Sequence, residues 1–504
     1  MANELGKQAT SRSATTAPCT SDLEEQVFQA KKEGLSDRDI GKKFNVNLRF
    51  IEKVMTKRLG VNVSSPIVRK SVRRLQPADF SLETTTVWSF KSRGNWATHN
   101  GNYRGNWSPY IPRNVILRYS RPGDLVLDCF CGAGTTGVEC KLTGRNFTGI
   151  DINPMAIELA RKNVDFSLCG EDCEHSTQTS VEFKVGDARD LSCISDESID
   201  LICTHPPYAD IIHYTDNQKE DLSFYPNGAF IQEMGKVAKE NYRVLKPDGY
   251  CAVLIGDMRK RKSVVPLGFS VINQYLGAGF SLKELVIKRQ HNCKTTGFWY
   301  NNSVKYNFLL LAHEYLAVFQ KASADVSPQA MLGEDSVEEI TFEPARLERL
   351  ESTTVWTFEH GDFWKNVVQN LVQRYDGAGY SIISRPRDID VSENILCSRS
   401  LVIVSCAGQG QFTKLRERLE KLLSLIPEKG YLAVVCRDVR LRDGTIYPTA
   451  VEVESCLRNR SEFKIKEIVI VPTGSETHLV CADENLAVSH IYLLIYSVRR
   501  DGKI

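Results

Sequence analysis

Between residues 79 and 321 the chain alternates short apolar runs with stretches whose apolar positions recur at helical spacing. Strands are predicted at 125–129, 146–150, 182–185, 199–204, 250–255, 282–288 and 315–319, and helices at 136–142, 154–163 and 230–245. That alternation predicts a doubly wound, Rossmann-like α/β domain, bounded at 81–322. Upstream, residues 1–20 are small and polar and read as a disordered tail. Residues 21–62 read as three short helices. Ser21 caps the first, whose apolar face includes Leu23, Val27 and Ala30; Ser36 opens the second; Asn45 to Asn47 make a turn; and the third turns Ile51 and Val54 inward. A basic linker with Arg69, Lys70, Arg73 and Arg74 fills 63–80.

After a second linker at 323–346, the segment 347–504 reads as a partial copy of the first domain. Leu82 to Phe90 recurs as Leu350 to Phe358, Pro247 to Val253 as Glu428 to Val434, and Leu282 to Ile287 as Ile465 to Ile470. Gly256 to Arg259 is echoed by Arg437 to Arg440, and His313 to Leu316 by His490 to Leu493. The copy has no glycine turn, and Ser405 to Gly408 stands where Thr204 to Pro207 stood. It is expected to keep the sheet, to lack the chemistry, and to act as a pseudo-subunit within a monomer.

Composition narrows this picture only a little. At 504 residues two to four domains are expected, with 42% hydrophobic and 25% charged residues as in a soluble globular protein. A net charge of +2 confines any nucleic-acid surface to a local patch. No run approaches a membrane span and no charged-then-apolar leader is seen, so a cytoplasmic protein with reduced core thiols is expected from its fifteen cysteines. Cys169, Cys173 and His175 lie close together in a polar loop, but zinc needs a fourth ligand and that loop offers none, so no metal is expected.

The chemistry is concentrated at two places. Gly132 and Gly134 follow an apolar strand and let the backbone approach a ligand where a side chain would clash. Asp151 ends the next strand, where an acid can hydrogen-bond both ribose hydroxyls; Asp187, ending the third, can reach an adenine amino group. The wording Cys131-Gly-Ala-Gly-Thr-Thr-Gly137, followed by Gly144-Arg to Gly149-Ile-Asp151-Ile-Asn-Pro154, resembles the S-adenosylmethionine site of the amino-group DNA methyltransferases, the adenine-N6 and cytosine-N4 enzymes. The resemblance runs from about Thr84 to Lys321. It implies S-adenosylmethionine as cofactor, and adds Asp128, Phe130 and Thr135 to its contacts.

Thr204-His-Pro-Pro-Tyr208 resembles the same family's catalytic Asp/Ser/Asn-Pro-Pro-Tyr motif, with His205 in the place of the usual acid or serine. The resemblance implies that His205 and the Pro206 carbonyl accept hydrogen bonds from an exocyclic amine, that Pro206 and Pro207 hold the turn rigid, and that Tyr208 stacks on a base flipped out of duplex DNA. A neutral group in first place favours cytosine N4 over adenine N6. The wording around Leu35 to Phe44 resembles helix-turn-helix modules, which would set Arg49, Lys53 and Lys57 at the DNA; a small packing module is the alternative. Arg259, Lys260 and Arg261 follow a strand at the ligand edge and are expected either to grip phosphates or to form a solvated turn. A companion restriction endonuclease would accompany a restriction-modification role. An RNA guanine-N2 methyltransferase and a DNA-binding regulator with a decayed catalytic body are the alternatives.

Overall fold

The apolar runs assemble into two sheets that share one element order. The computed structural model describes residues 20–33, 35, 37–46, 50–51, 54, 74–103, 105–166, 179–209, 214–215, 220–260, 262–291, 303, 305–322, 350–358, 363–375, 379–383, 386, 400–473 and 485–499. The first sheet uses β1 (Val87–Trp88), β2 (Leu125–Asp128), β3 (Asn146–Asp151), β4 (Val181–Val185), β5 (Ile199–Thr204) and β6 (Leu245–Ile255). A hairpin of β7 (Met258–Lys260) and β8 (Ser263–Val265) follows, before β9 (Ser281–Arg289) and β10 (His313–Gln320) close the sheet. Its order is β1-β9-β10-β6-β5-β2-β3-β4, parallel except that β10 runs against both β6 and β9. This is the Rossmann-like α/β arrangement expected, and it places the C-terminal ends of β2, β3 and β5 side by side, where such sheets bind ligands.

Several elements differ from the hydrophobic pattern, among them the unpredicted helix Leu267–Gly277 and the β7–β8 hairpin. The stretch before β2 contains a helix, Tyr110–Tyr119, whose Pro112 sits in the first turn, where no backbone N–H is needed. Trp88 pairs in a strand of two residues, too short to show periodicity. The expected turn at 246–249 is absorbed into β6, with Asp248 at φ 62°.

The N-terminal helices Thr20–Lys32 and Asp37–Phe44, with Phe50, Ile51 and Val54 also helical, close a small core of Val27, Ala30, Ile40, Ile51 and Val54. Arg49, Lys53 and Lys57 lie outside the described residues, as do Arg69, Lys70, Arg73 and the Cys169–His175 loop. No helix is long and apolar enough to cross a membrane among the described residues.

The second sheet contains β11 (Tyr380–Ile383), β12 (Leu401–Ala407), β13 (Tyr431–Arg437), β16 (Phe463–Pro472) and β17 (His490–Val498) in the order β11-β12-β13-β17-β16. Between β13 and β16 lies a hairpin of β14 (Val439–Arg440) and β15 (Ile446–Tyr447), like β7 and β8 in the first half. Residue for residue this repeats β2-β5-β6-β10-β9. The connection 384–400 replaces the whole stretch 129–198 that carries the glycine turn, β3 and β4. The register also corrects the alignment read from sequence by one residue. Leu401 lies opposite Tyr431 as Leu201 lies opposite Tyr250, so Ser405, not Cys406, occupies the place of His205.

The two halves meet through reciprocal contacts, as the subunits of a two-fold dimer do. Arg259 pairs with Glu467 across the junction, and Arg440 pairs with Glu284. Glu467 also accepts the Leu309 N–H at 3.1 Å, and Glu284 the Leu486 N–H at 3.0 Å. Thr86 Oγ1 lies 2.8 Å from His490 Nδ1, and Thr354 Oγ1 lies 2.9 Å from His313 Nδ1. These contacts thus come in mirrored pairs, one member running from the first half to the second and the other from the second to the first.

Burial pushes His313 and His490 down to about 3, so both are neutral in the folded chain and charge readily once unfolded. Their contribution is therefore fully present above pH 6.5 and is lost as pH falls toward 3. The stability advantage of the wild type over His490→Gln should shrink by about 2.5 kcal/mol between pH 7 and pH 4.5 in paired urea melts. An advantage that holds constant across that range would show that His490 is not held neutral.

Candidate active site

The glycine turn lies between β2 and the helix Thr135–Leu142. Gly132 and Gly134 have φ of 48° and 77°, where a side chain is strained. A Cβ on Gly134 would also approach Ala160 Cβ to 2.9 Å, so this position is closed to larger residues on packing grounds as well. Asp151, at the end of β3, is fixed from both sides: Oδ2 accepts the Gly132 N–H at 2.8 Å and Oδ1 the Asn153 N–H at 2.9 Å. Burial pushes its carboxyl up to about 6 against those two hydrogen bonds. Gly132, Asp151, Asp187 and Phe130 line one cleft, which is open to solvent at its mouth.

Asp128 lines the cleft, but its carboxylate is engaged inside the protein. Thr204 Oγ1 donates to Oδ1 at 2.7 Å and Thr136 Oγ1 to Oδ2 at 2.6 Å, while the Phe130 N–H completes the set at 3.1 Å. Asp128 thus ties the glycine turn to the end of β5, one residue before His205. Thr135 likewise turns inward, donating to Asn106 Oδ1. Asp187 is clamped by Arg189, which also reaches Glu233.

The stretches 93–103 and 105–109, rich in tryptophan, asparagine and glycine, form a strap over the glycine turn. Its anchor is the fully buried Glu139, which accepts from Trp96 Nε1 at 2.7 Å, His99 Nε2 at 2.6 Å and Arg113 Nη1 at 2.8 Å. Burial alone would raise the Glu139 pKa, but His99 and Arg113 hold it below the ordinary value. The strap brings Tyr103 over Gly132 and stacks it on Tyr214 at 6.2 Å.

At the end of β5 the imidazole of His205 stacks on Trp107, with ring centres 5.4 Å apart and planes 20° from parallel. His205 lines both the cofactor-side cleft and a second, adjoining cleft with Pro206, Tyr208, Lys288 and Glu314. Its Nε2 lies 2.8 Å from the Tyr208 hydroxyl, which donates to Glu314 Oε1 at 2.8 Å; Lys288 Nζ donates to Glu314 Oε2 at 2.7 Å. Burial pushes His205 down to about 4, although Glu314 pulls the other way. The Tyr208 ring packs on Gly256, where a Cβ would stand 2.8 Å from Cε2. In the second half Arg437 replaces that glycine and Gly408 stands in the place of Tyr208.

Arg259 does not reach phosphates at the cleft, as one reading of the sequence had it. Its guanidinium pairs with the fully buried Glu467 and is 15% exposed. Lys260 ends β7, and Arg261 lies outside the described residues. The cations lining the second cleft among the described residues are instead Lys91, Arg93, Lys288 and Arg289. Among the described residues no cluster of three metal-ligating side chains is present.

Residues 25–162 match the family model of the DNA methylases, and residues 120–286 that of a methyltransferase domain. The type II methyltransferase M.BglI of Bacillus subtilis is 33% identical over 105 residues, 20% of this chain and 30% of that protein. The tRNA (guanine(10)-N2)-dimethyltransferase of Methanothermobacter thermautotrophicus is 36% identical over 107 residues, 21% of this chain and 29% of that protein. The type II methyltransferase M2.DpnII of Streptococcus pneumoniae is 43% identical over 82 residues, 16% of this chain and 30% of that protein. The chain thus spans about three-tenths of the length of these relatives.

The fold and the glycine turn define a methyltransferase domain whose cofactor is S-adenosylmethionine. Over the residues these models match, the first α/β domain is similar to the amino-group DNA methyltransferases. The residues present fit the cofactor. A fixed carboxylate at the end of β3, two positive-φ glycines and a cleft running on to His205 suit ribose, methionine and the transferable methyl in turn.

Proposed function

We propose that the protein methylates the exocyclic amine of a base flipped out of duplex DNA, with cytosine N4 the favoured target. The observation that carries this reading is His205, an uncharged imidazole set between the cofactor cleft and a second cleft with a cationic rim. The bound cofactor supplies an electrophilic methyl on a sulfonium. His205 and the Pro206 carbonyl draw the amine toward tetrahedral geometry and aim its lone pair along the line of transfer. A C–N bond forms as the C–S bond breaks, the electron pair leaves with sulfur, and the amine sheds one proton. Stacking on Trp107 fixes the imidazole before substrate arrives. Asp151 and Asp187 are assigned to ribose and adenine, and the N-terminal helices, with Arg49, Lys53 and Lys57, to DNA.

A neutral acceptor in the first position of the motif supports N4 over N6. A second reading, methylation of a guanine N2 amine in RNA, is favoured by the likeness to the tRNA enzyme of Methanothermobacter thermautotrophicus. The test is incubation with methyl-labelled cofactor and either duplex DNA or tRNA, then chromatography of the nucleosides. N4-methylcytosine is expected, and His205→Ala should slow its formation about 100-fold with cofactor affinity unchanged. Label in N6-methyladenine would move the target, label in N2-methylguanine would favour the RNA reading, and no transfer despite cofactor binding would favour a regulator.

A further inference from the structure

We propose that Tyr208, Glu314 and Lys288 form a hydrogen-bond relay of fixed polarity that holds His205 in the Nε2–H tautomer, leaving Nδ1 as the acceptor for the target amine. The inference rests on the amino-methyltransferase reading above, and identifies Glu314 and Lys288 as positioning residues for it.

The polarity follows from counting protons. Lys288 can only donate, and it donates to Glu314 Oε2 at 2.7 Å. Glu314 beside that ammonium is ionised and can only accept, so the 2.8 Å contact with the Tyr208 hydroxyl takes the tyrosine's proton. A hydroxyl has one proton to give. Its oxygen must therefore accept at the 2.8 Å contact with His205, and Nε2 must carry the hydrogen. A neutral imidazole with Nε2–H has its lone pair on Nδ1, which has no protein partner among the described residues. The ring borders both clefts. Charge balance agrees: burial opposes ionisation of Glu314, but the Lys288 ammonium and the hydrogen bonds from Lys288 and Tyr208 hold it below the ordinary carboxylate range, while burial keeps His205 neutral.

The second half of the chain supplies an independent comparison. In its register Ser405 stands for His205, Gly408 for Tyr208, Val471 for Lys288 and Ile491 for Glu314. All four members of the relay are replaced together. By contrast, Glu467, Arg440, Thr354 and His490, which join the halves, match Glu284, Arg259, Thr86 and His313. If Glu314 and Lys288 only stabilised the sheet, the copy that keeps that sheet would have the same reason to retain them.

The experiment uses the full chain labelled with 15N-histidine, with His205→Asn assigning the resonance. The His205 signals should report Nε2–H at neutral pH; Nδ1–H would overturn the proposal, and this measurement stands whether or not methyl transfer is detected. The second arm removes the anion and its cation together, as Lys288→Met with Glu314→Leu, so that no unpaired charge is left. Tyr208 is then free to donate to Nε2 and impose the wrong tautomer, and single-turnover transfer should fall about 100-fold at unchanged cofactor affinity. Adding Tyr208→Phe removes the offending hydroxyl and should recover about 10-fold of that loss. A triple variant as slow as the double, or slower, would also overturn the relay, since a purely structural role predicts no rescue. Loss of transfer to any nucleic acid by the wild type would instead defeat the functional reading.

Discussion

An Asp151→Ala variant is expected to bind S-adenosylmethionine at least about 100-fold more weakly than the wild type. The carboxylate is not a free surface group: Gly132 and Asn153 hold one oxygen each through backbone N–H groups, so its orientation is set before ligand arrives. Each hydrogen bond from a ribose hydroxyl to a charged acceptor is worth about 1.5–3 kcal/mol, and two of them correspond to a loss of about 100-fold or more. Asp151→Asn, which keeps the shape and loses the charge, should lie between the two. With the free carboxyl pushed up to about 6, affinity should also weaken as pH falls through that value, because a protonated carboxyl accepts less well. Titration calorimetry at pH 7.5 and pH 5 would measure both effects. Binding by the alanine variant within threefold of the wild type would remove Asp151 from the site.

The second large effect concerns stability. Glu467→Leu leaves the Arg259 guanidinium, 15% exposed, without its carboxylate, and Glu467 itself is fully buried. Breaking such a pair from one side costs about 3–5 kcal/mol, whereas replacing both partners by apolar residues of similar volume is often neutral. Calorimetric melting should therefore show a large drop for Glu467→Leu and recovery of most of it in Arg259→Met/Glu467→Leu. Glu284→Leu should repeat the result through Arg440. A single-variant cost below about 1 kcal/mol would mean that the halves are not joined through these charges. The same geometry bears on truncation. Removing the chain from Leu347 onward would leave both Arg259 and Glu284 without their ion-pair partners, so full-length point variants are the cleaner probe of what the second half does.

How much of this could be read from the sequence follows from the range of the interactions. β5 runs from Ile199 to Thr204 as the apolar run predicts, and the other predicted strands of the first sheet lie within a few residues of their apolar runs. Gly132, Asp151 and the Pro-Pro-Tyr turn are legible because the motif itself fixes their spacing. Arg259 was misread because the acid it meets is 208 residues away. Glu139 and Glu314 were missed for the same reason: each looks like a solvated surface residue until Trp96, His99 and Arg113, or Tyr208 and Lys288, are brought beside it. Glu314 did leave a trace, since it lies inside the repeated His313 to Leu316 phrase, yet its counterpart there is isoleucine. Internal repeats reveal scaffold where they agree and chemistry where they differ.

The reciprocal Arg–Glu and Thr–His contacts also bear on how the molecule is made. A pair of separate chains joined through such an interface would dissociate on dilution and could exchange partners. Tethered halves meet instead at an effective concentration in the millimolar range, whatever the expression level. Translation then has a fixed order of events. The glycine turn and His205 leave the ribosome first, while Glu284 and Arg259 wait for Arg440 and Glu467, so the first half completes its charge pairing only when the second has been synthesised.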